Sequence, residues 1–178
     1  MELIALVGLR RSGKDTAARA LIDAGYENVK FADVLKAMLR TYLAFRGMPP
    51  CQVEAVIEGE MKERPLAVFG GKSARFAMQS LGTEWGRDLI YPDIWVDAAM
   101  DRARQFGRVV VTDCRFPNEY AAVKVNGGTV IKITRPGTTV DSHPSESLIA
   151  SLPYDFEIVN DGSIELLHQR IAHLVSNL

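Results

Sequence analysis

The N-terminal segment constrains the fold most strongly, because a short apolar run leads directly into a glycine-rich turn. Leu3 to Val7 is continuously apolar, and the turn that follows reads GLRRSGKDT from Gly8 to Thr16. A short uninterrupted apolar run is typical of a strand buried on both faces of a parallel sheet. Lys14 to Ala24 is rich in alanine and is followed by Gly25, which predicts a helix. The sequence therefore predicts a strand, a tight turn and a helix at this point.

The turn has the pattern G-x-x-x-x-G-K of a phosphate-binding loop. In such a loop backbone N–H groups surround a phosphate, the helix dipole favours the anion, and the lysine reaches the β- and γ-phosphates. The alternative is an ordinary glycine turn with a solvated lysine, which the flanking strand and helix make less favourable. We therefore predict an ATP site, with loop contacts from Gly8, Arg11, Ser12, Gly13, Lys14, Asp15 and Thr16.

Asp15 stands where this motif usually carries serine or threonine, whose hydroxyl binds Mg²⁺. A carboxylate can also serve Mg²⁺, directly or through water, because this hard cation prefers oxygen ligands and retains waters. We predict Asp15 as a metal ligand, which leaves Thr16 to contact the α-phosphate. Asp113 follows the apolar run Val109–Val111 and is predicted as the second carboxylate that orients Mg²⁺. An ordinary strand-end or capping role is the alternative for Asp113.

The remaining pattern alternates strands with helices, which indicates an α/β fold with a parallel sheet and helices on both faces. Predicted strands are Val29–Phe31, Val109–Asp113, Thr129–Ile133 and Phe156–Val159. Predicted helices are Asp33–Phe45, Gln52–Glu60, Lys72–Ile90 with a break near Gly82 or Gly86, Pro92–Phe106, Asn118–Val125 and Ser163–Val175. A turn is predicted at Gly70–Gly71. Ligands bind beyond the carboxyl ends of such strands, so we expect one shared edge for the residues that follow them: Gly8, Asp113, Arg135 and Asn160.

Composition narrows the class of protein further. The chain has 178 residues with 21 basic and 22 acidic side chains, so it carries a formal charge of −1. This balance argues against a nucleic-acid coat or a basic membrane-surface protein. Cys51 and Cys114 match no metal spacing and are expected to be reduced thiols, which suits the cytosol. The apolar runs are too short for a signal peptide or a membrane span. We expect a soluble, cytoplasmic, single-domain protein whose partners include neither nucleic acid nor membrane.

The ordered motifs resemble those of phage-type deoxynucleoside monophosphate kinases, which belong to the P-loop nucleoside monophosphate kinase superfamily. The resemblance runs through nearly the whole chain. It covers the loop Gly8–Thr16, Met78–Thr83, Trp95-Val96, Thr112–Arg115, Gly128–Ile131, Arg135–Gly137, His143 with Glu146, and Val159–Gly162. The chain is shorter than the best-known phage members, mainly between residues 47 and 71.

This resemblance implies transfer of the ATP γ-phosphate to a deoxynucleoside monophosphate, with Mg²⁺ as cofactor. It implies a three-layer P-loop NTPase sandwich with a five-stranded parallel sheet, a helical monophosphate-binding region at about residues 32–106 and a lid at about 135–152. A related small-molecule kinase, such as a dephospho-coenzyme A kinase or phosphomevalonate kinase, is the first alternative, and a non-catalytic nucleotide-binding module is the second. The oligomeric state is left open between a monomer and a homodimer.

Two phosphate chains must approach each other in such an enzyme, so several arginines should converge. We predict catalytic roles for Lys14, Asp113, Arg115 and Arg135, with Asp113 and Arg115 also contacting the acceptor. Arg75 and Gln79 share a helix face; the arginine could bind the acceptor's 5′-phosphate and the glutamine could read a base edge. A solvated helix face is the alternative for this pair.

Further predicted nucleotide contacts each have a structural alternative. Phe31 and Asp33 could border the acceptor nucleoside, but Phe31 is equally suited to the core. Trp95 could stack on a base, although a large aromatic residue on an amphipathic helix favours the core. Asn160 and Gly162 follow the last strand, where this type of kinase holds adenine, or they form a plain turn. His143 is interpreted as lid structure or a phosphate contact.

Overall fold

The computed structural model of the protein describes residues 1–138 and 151–178. In chain order the strands are β1 (Glu2–Val7), β2 (Glu27–Asn28), β3 (Pro65–Leu66), β4 (Lys72–Ser73), β5 (Arg108–Val111), β6 (Thr129–Thr134) and β7 (Phe156–Val159). The α-helices are α1 (Lys14–Asp23), α2 (Asp33–Phe45), α3 (Pro50–Ile57), α4 (Ala74–Ser80), α5 (Ile94–Ala103), α6 (Pro117–Val125) and α7 (Ile164–Val175). A 3₁₀ turn spans Ala67–Phe69, and a π-helix spans Leu81–Ile90.

The chain divides into two compact units, one formed by Met1–Phe31 with Met100–Leu178 and the other by Ala32–Ala99. In the described ranges, none of the helices has the length and hydrophobicity that a membrane span requires.

The first unit contains a five-stranded sheet with the order β2-β5-β1-β6-β7, and every neighbouring pair is parallel. Ile4 and Leu6 of β1 pack with α1 and α7, represented by Leu21 and Ile171. Leu3 points to the opposite face, as adjacent residues of a strand do, and α6 packs against β1 and β6. The helices therefore cover both faces, which confirms the predicted three-layer parallel fold.

The second unit is helical around an apolar cluster that includes Leu35, Leu39, Leu43 and Ile57. The periodicity of α2 predicted its bounds correctly, since Leu35, Leu39 and Leu43 recur on one buried face. The predicted turn at Gly70–Gly71 is present between β3 and β4, where both glycines have positive φ.

The predicted helices Gln52–Glu60 and Pro92–Phe106 are observed as Pro50–Ile57 and Ile94–Ala103. Two other predicted elements differ for reasons that the hydrogen bonds show. The second strand is Glu27–Asn28 and not Val29–Phe31. Val29 still donates its N–H to Val110 O at 3.0 Å, but Phe31 N turns to the Asp113 carboxylate. The predicted helix at 72–90 begins later, because Lys72 and Ser73 pair in the hairpin and Ser73 Oγ accepts from Phe76 N at 3.2 Å to cap α4. Beyond Ser80 that helix continues as the π-helix.

Candidate active site

The phosphate loop depends on glycine at two positions. Gly8 has φ 151° and Gly13 has φ 102°, conformations that L-residues with side chains rarely adopt. A Cβ on Gly8 would collide with the carbonyl oxygen of Ile133 in β6, and one on Gly13 would collide with the side-chain amide of Asn160. The loop is therefore packed tightly against the carboxyl ends of β6 and β7.

Lys14 lies against the loop that precedes it. Its Nζ donates to Gly8 O at 2.6 Å and to Leu9 O at 2.8 Å. Lys14 is also the first residue of α1, with Asp15 exposed and Thr16 half-buried behind it. The ammonium group and the positive end of the helix dipole are thus presented at the same end of β1.

The C-terminal part of the chain supports the loop from behind. Asn160 Nδ2 donates to Ser12 O at 2.9 Å. His168 Nε2 lies 3.1 Å from Thr16 O, so this nitrogen carries the proton when it donates to the carbonyl. Ser12 itself is only 1% exposed. These contacts hold the loop and the first turn of α1 in place.

Asp113 and its neighbours form a second polar group at the end of β5. Asp113 Oδ1 accepts from Phe31 N at 3.0 Å, which connects the ends of two adjacent strands. Glu119, 2% exposed, accepts from Arg115 N at 2.7 Å and from Phe116 N at 3.1 Å. Burial raises the pKa of the Cys114 thiol, and the carboxylates of Glu119 and Asp113 raise it further. Cys114 is therefore a neutral packing residue between two acidic groups.

Glu119 is the residue whose importance the sequence interpretation missed. It lies at the third position of α6, after Pro117 at the first, where a carboxylate satisfies backbone N–H groups left unpaired by the helix start. The Pro-x-Glu pattern carried this signal. Because Glu119 accepts a hydrogen bond from the Arg115 backbone, it fixes the position from which the Arg115 side chain extends.

The predicted arginines of this unit are solvent-exposed. Arg11 has φ 65°, an uncommon conformation for a residue with a side chain. Arg115 follows β5 and Arg135 follows β6, so the parallel order brings both to the same sheet edge as the phosphate loop. Arg135 O accepts from Thr138 N at 3.2 Å and from its hydroxyl at 2.7 Å, which forms a turn directly after β6. The topology therefore confirms one shared edge for the ends of β1, β5, β6 and β7, and the roles of the two arginines stay predictions.

In the second unit, Arg75 and Gln79 are exposed on α4. Arg75 Nη2 lies 2.7 Å from Glu63 Oε1, and its backbone N–H donates to Lys62 O at 3.0 Å. Burial lowers the pKa of Lys62, and the nearby positive charges of Lys36 and Arg75 lower it further. Lys62 is therefore a second cation near Arg75, and the sequence interpretation had not named it.

The two aromatic residues predicted near the acceptor nucleoside are core residues in the structure. Trp95 is 2% exposed, and its indole N–H donates to Gly82 O at 2.7 Å. Phe31 is also 2% exposed. A ring with so little exposed surface offers no face to a base, so the packing alternative describes both side chains. Asp33 is exposed at the start of α2.

Most of the predicted lid lies outside the described residues. Only Arg135–Thr138 and the two residues Ser151 and Leu152 of that segment are described, and the predicted contact of His143 falls between them.

A parallel sheet with helices on both faces and a glycine loop between β1 and α1 defines the class of P-loop nucleotide-binding proteins. Similarity to a dephospho-CoA kinase from Campylobacter jejuni agrees with this fold, with a TM-score of 0.52 over 99% of this chain and 96% of that one, at 13% identity.

Sequence comparisons then identify the family. The family model described as deoxynucleotide monophosphate kinase matches residues 51–171. A protein of Acanthamoeba polyphaga mimivirus named "Putative deoxynucleotide monophosphate kinase" is 35% identical over 99% of this chain and 97% of its own length. The deoxynucleotide monophosphate kinase of Enterobacteria phage T4 is 26% identical over the full length of both chains. The chain belongs to the deoxynucleotide monophosphate kinase family.

Proposed function

We propose that this protein transfers the γ-phosphoryl group of ATP to a deoxynucleoside 5′-monophosphate, giving the diphosphate and ADP. The observation that carries the proposal is the glycine loop at the start of α1, where Lys14 donates to the carbonyls of Gly8 and Leu9. The chain's membership of this kinase family supports the same function. The fold similarity to a dephospho-CoA kinase, at 13% identity, does not favour that alternative.

The loop and its lysine are proposed to bind the donor. Backbone N–H groups from Gly8 to Thr16 would surround the β-phosphate, and Lys14 would move from the carbonyls of Gly8 and Leu9 to the β- and γ-phosphate oxygens. Anionic oxygens attract the ammonium more strongly than neutral carbonyls do, which favours this exchange. The backbone groups of Asn160 and Gly162, after β7, are proposed to border the adenine.

Asp15 and Asp113 are proposed to hold Mg²⁺. Among the described residues there is no cluster of three or more side chains that could ligate a metal. This donor set still fits Mg²⁺, because the ion usually takes one or two carboxylates and completes its shell with water and substrate phosphates. When bound, the ion would neutralise charge on the transferring phosphoryl group. If Asp15→Asn leaves the Mg²⁺ dependence of turnover unchanged, Asp15 is not a ligand.

The arginines are proposed to neutralise and align the two phosphate chains. Arg115 and Arg135, exposed at the sheet edge, would contact the transferring group and the acceptor phosphate. Arg75 would exchange its ion pair with Glu63 for the acceptor's 5′-phosphate. The two side chains are 44% and 66% exposed, so the pair costs little to break. Gln79, one turn further along α4, would read the base edge, with Asp33 near the nucleoside.

The chemistry requires no general base. The second pKa of a phosphate monoester is about 6, so the acceptor oxygen is already anionic at neutral pH. That oxygen forms a bond to the γ-phosphorus as the bond to the β–γ bridging oxygen of ATP breaks, and the negative charge passes to ADP. Positioning and charge neutralisation are therefore the whole task of the protein.

An acceptor panel tests the proposal directly. Purified protein with ATP and Mg²⁺ is assayed for ADP release with each dNMP, each NMP and dephospho-coenzyme A. We expect turnover with at least one dNMP and its loss in Lys14→Met. Arg19→Met is the matched control, because Arg19 is a cation on the same helix that pairs with Asp23 one turn away and is 70% exposed. Turnover of dephospho-coenzyme A alone, or ATP binding with no acceptor-dependent ADP release, would overturn the assignment.

The regional roles are part of the same proposal. Residues from about 32 to 106 are proposed to bind the acceptor, and residues from about 135 to 152, most of them outside the described ranges, are proposed as the lid. The protein is further proposed to act in the cytoplasm on small nucleotides, without nucleic-acid or membrane partners, as a monomer or a homodimer.

A further inference from the structure

Asn160 connects the end of β7 to the phosphate loop across 148 positions of sequence. Its backbone N–H donates to Thr134 O at 2.7 Å, which extends the pairing of β7 with β6 by one residue. Its side-chain Nδ2 donates to Ser12 O at 2.9 Å. The sheet thus fixes the Asn160 backbone, and the Asn160 side chain holds the loop at Ser12.

The bond from Asn160 determines which way one loop peptide faces. A trans peptide is planar, so the C=O of Ser12 and the N–H of Gly13 point in opposite directions. With the carbonyl held by Asn160, the N–H of Gly13 is directed away from β7. A rotation of this peptide by half a turn would exchange the two groups and present a carbonyl where an N–H had been.

Such a rotation is easier before a glycine than before other residues, because glycine populates positive and negative φ about equally. Gly13 has φ 102°, and a Cβ there would displace the Asn160 amide. Gly13 allows the loop to adopt its conformation, but it also makes the Ser12–Gly13 peptide prone to rotate. The hydrogen bond from Asn160 to Ser12 O opposes this rotation.

We propose that Asn160 is a positioning residue that locks the Ser12–Gly13 peptide with its N–H toward the donor phosphates. The inference rests on the proposed function only in that the loop binds phosphate. It differs from an adenine contact, because the predicted effect falls on the polyphosphate and not on the base.

Binding measurements distinguish the two roles. Isothermal titration calorimetry with Mg²⁺ present measures the affinity for inorganic tripolyphosphate, ATP and GTP. The wild type, Asn160→Ala and Asn160→Asp are compared. Loss of one hydrogen bond predicts about a fivefold weaker affinity in Asn160→Ala, by the same factor for all three ligands. Asn160→Asp should be weaker still at neutral pH, because a carboxylate repels the Ser12 carbonyl and attracts the Gly13 N–H.

The aspartate variant also provides a pH signature. As the pH falls and the new carboxyl group is protonated, its O–H can donate to Ser12 O, so the deficit relative to the wild type at the same pH should shrink. A residue that only stabilised the fold would not produce this dependence. Thermal unfolding of each variant, followed by circular dichroism, separates loss of binding from loss of structure.

Asn126→Asp is the matched control. Asn126 Nδ2 also donates to a backbone carbonyl, Ala122 O, at 2.8 Å, but at the end of α6; this variant should bind all three ligands normally. Unchanged tripolyphosphate affinity in both Asn160 variants would overturn the proposal, and a loss confined to ATP would assign Asn160 to adenine. Failure of every dNMP as acceptor would refute the proposed function without affecting this binding result.

Discussion

Replacement of Gly86 by alanine is expected to destabilise the second unit, because the π-helix leaves no space for a side chain at that position. A Cβ on Gly86 would lie 2.5 Å from Cζ2 of Trp95 and 2.6 Å from both Cε2 and Nε1. Non-bonded carbon atoms prefer about 3.5–4.0 Å, so the ring must move by about 1 Å. Trp95 is 2% exposed and tied to Gly82 O, which leaves it little freedom to do so.

The expected loss of unfolding free energy follows from three contributions. Overpacking a well-filled core costs about 1–3 kcal/mol, and loss of the indole hydrogen bond would add about 1 kcal/mol. Replacing glycine in a helix by alanine recovers about 0.4–1 kcal/mol by restricting the unfolded chain. We therefore expect Gly86→Ala to lower the free energy of unfolding by about 2 kcal/mol.

Gly82→Ala is the matched comparison in the same π-helix. Among the described residues its Cβ would meet Leu35 Cδ2 alone, at 3.4 Å, and a leucine methyl group can shift by a few tenths of an ångström. We expect this variant to range from neutral to about 1 kcal/mol more stable. Urea unfolding followed by tryptophan fluorescence reports on this unit specifically, because the chain's two tryptophans, Trp85 and Trp95, both lie in it.

A double-mutant cycle isolates the contact. The atom closest to the new Cβ, Trp95 Cζ2, belongs to the six-membered ring of the indole, and the single ring of phenylalanine does not extend to that position. Gly86→Ala should therefore cost at least about 1 kcal/mol less in a Trp95→Phe background. Equal costs in both backgrounds, or a Gly86→Ala variant as stable as Gly82→Ala, would refute the steric argument.

Three further perturbations test the first unit and the thiols. With a thiol reagent, Cys51 should react rapidly, whereas Cys114, whose thiol pKa is raised by burial, should react only on unfolding; equal rates would contradict this assignment. Glu119→Ala leaves two backbone N–H groups without their charged acceptor and should lower the free energy of unfolding, measured in urea, by about 3 kcal/mol. The control Glu165→Ala, at an exposed helix start, should lower it by less than about 0.5 kcal/mol. Glu119→Ala should also lower kcat, because it displaces Arg115. Burial alone would raise the pKa of Asp155, but its bonds to Lys124 and Val130 N outweigh this and lower it. Its contribution to stability is therefore present above the unfolded pKa of about 3.9 and is lost as the pH falls through the lower folded value; acid titration of Asp155→Asn should lack that component, and an unchanged acid profile would contradict the linkage.

Local pattern was sufficient for much of the fold. The helix Asp33–Phe45 was predicted with the observed bounds, and the parallel sheet with helices on both faces was expected from the alternation of elements. Such features repeat every two or every 3.6 residues, so they can be read without knowing what packs against them. The strand-end positions of Asp113 and Arg135 followed from the same reasoning.

Local sequence pattern did not predict which distant residues a given side chain or backbone group contacts. Whether Trp95 stacks on a base or fills the core depends on Gly82 and Gly86, which accommodate its ring from another helix. The second strand was predicted at residues 29–31 and is observed at 27–28, and Phe31 N bonds to the Asp113 carboxylate, 82 positions away, instead of continuing the sheet. These outcomes are decided by which distant group satisfies each buried polar atom.

The glycine loop shows both levels at once. The amino-acid sequence by itself determined that a phosphate loop would follow the first strand, because the motif is a contiguous run whose glycines and lysine have fixed local roles. Only the tertiary structure decided how that loop is held, through Asn160 on Ser12 O and His168 at Thr16 O. These contacts join residues about 150 positions apart, and they form only when β7 and α7 have packed beside β6 and α1.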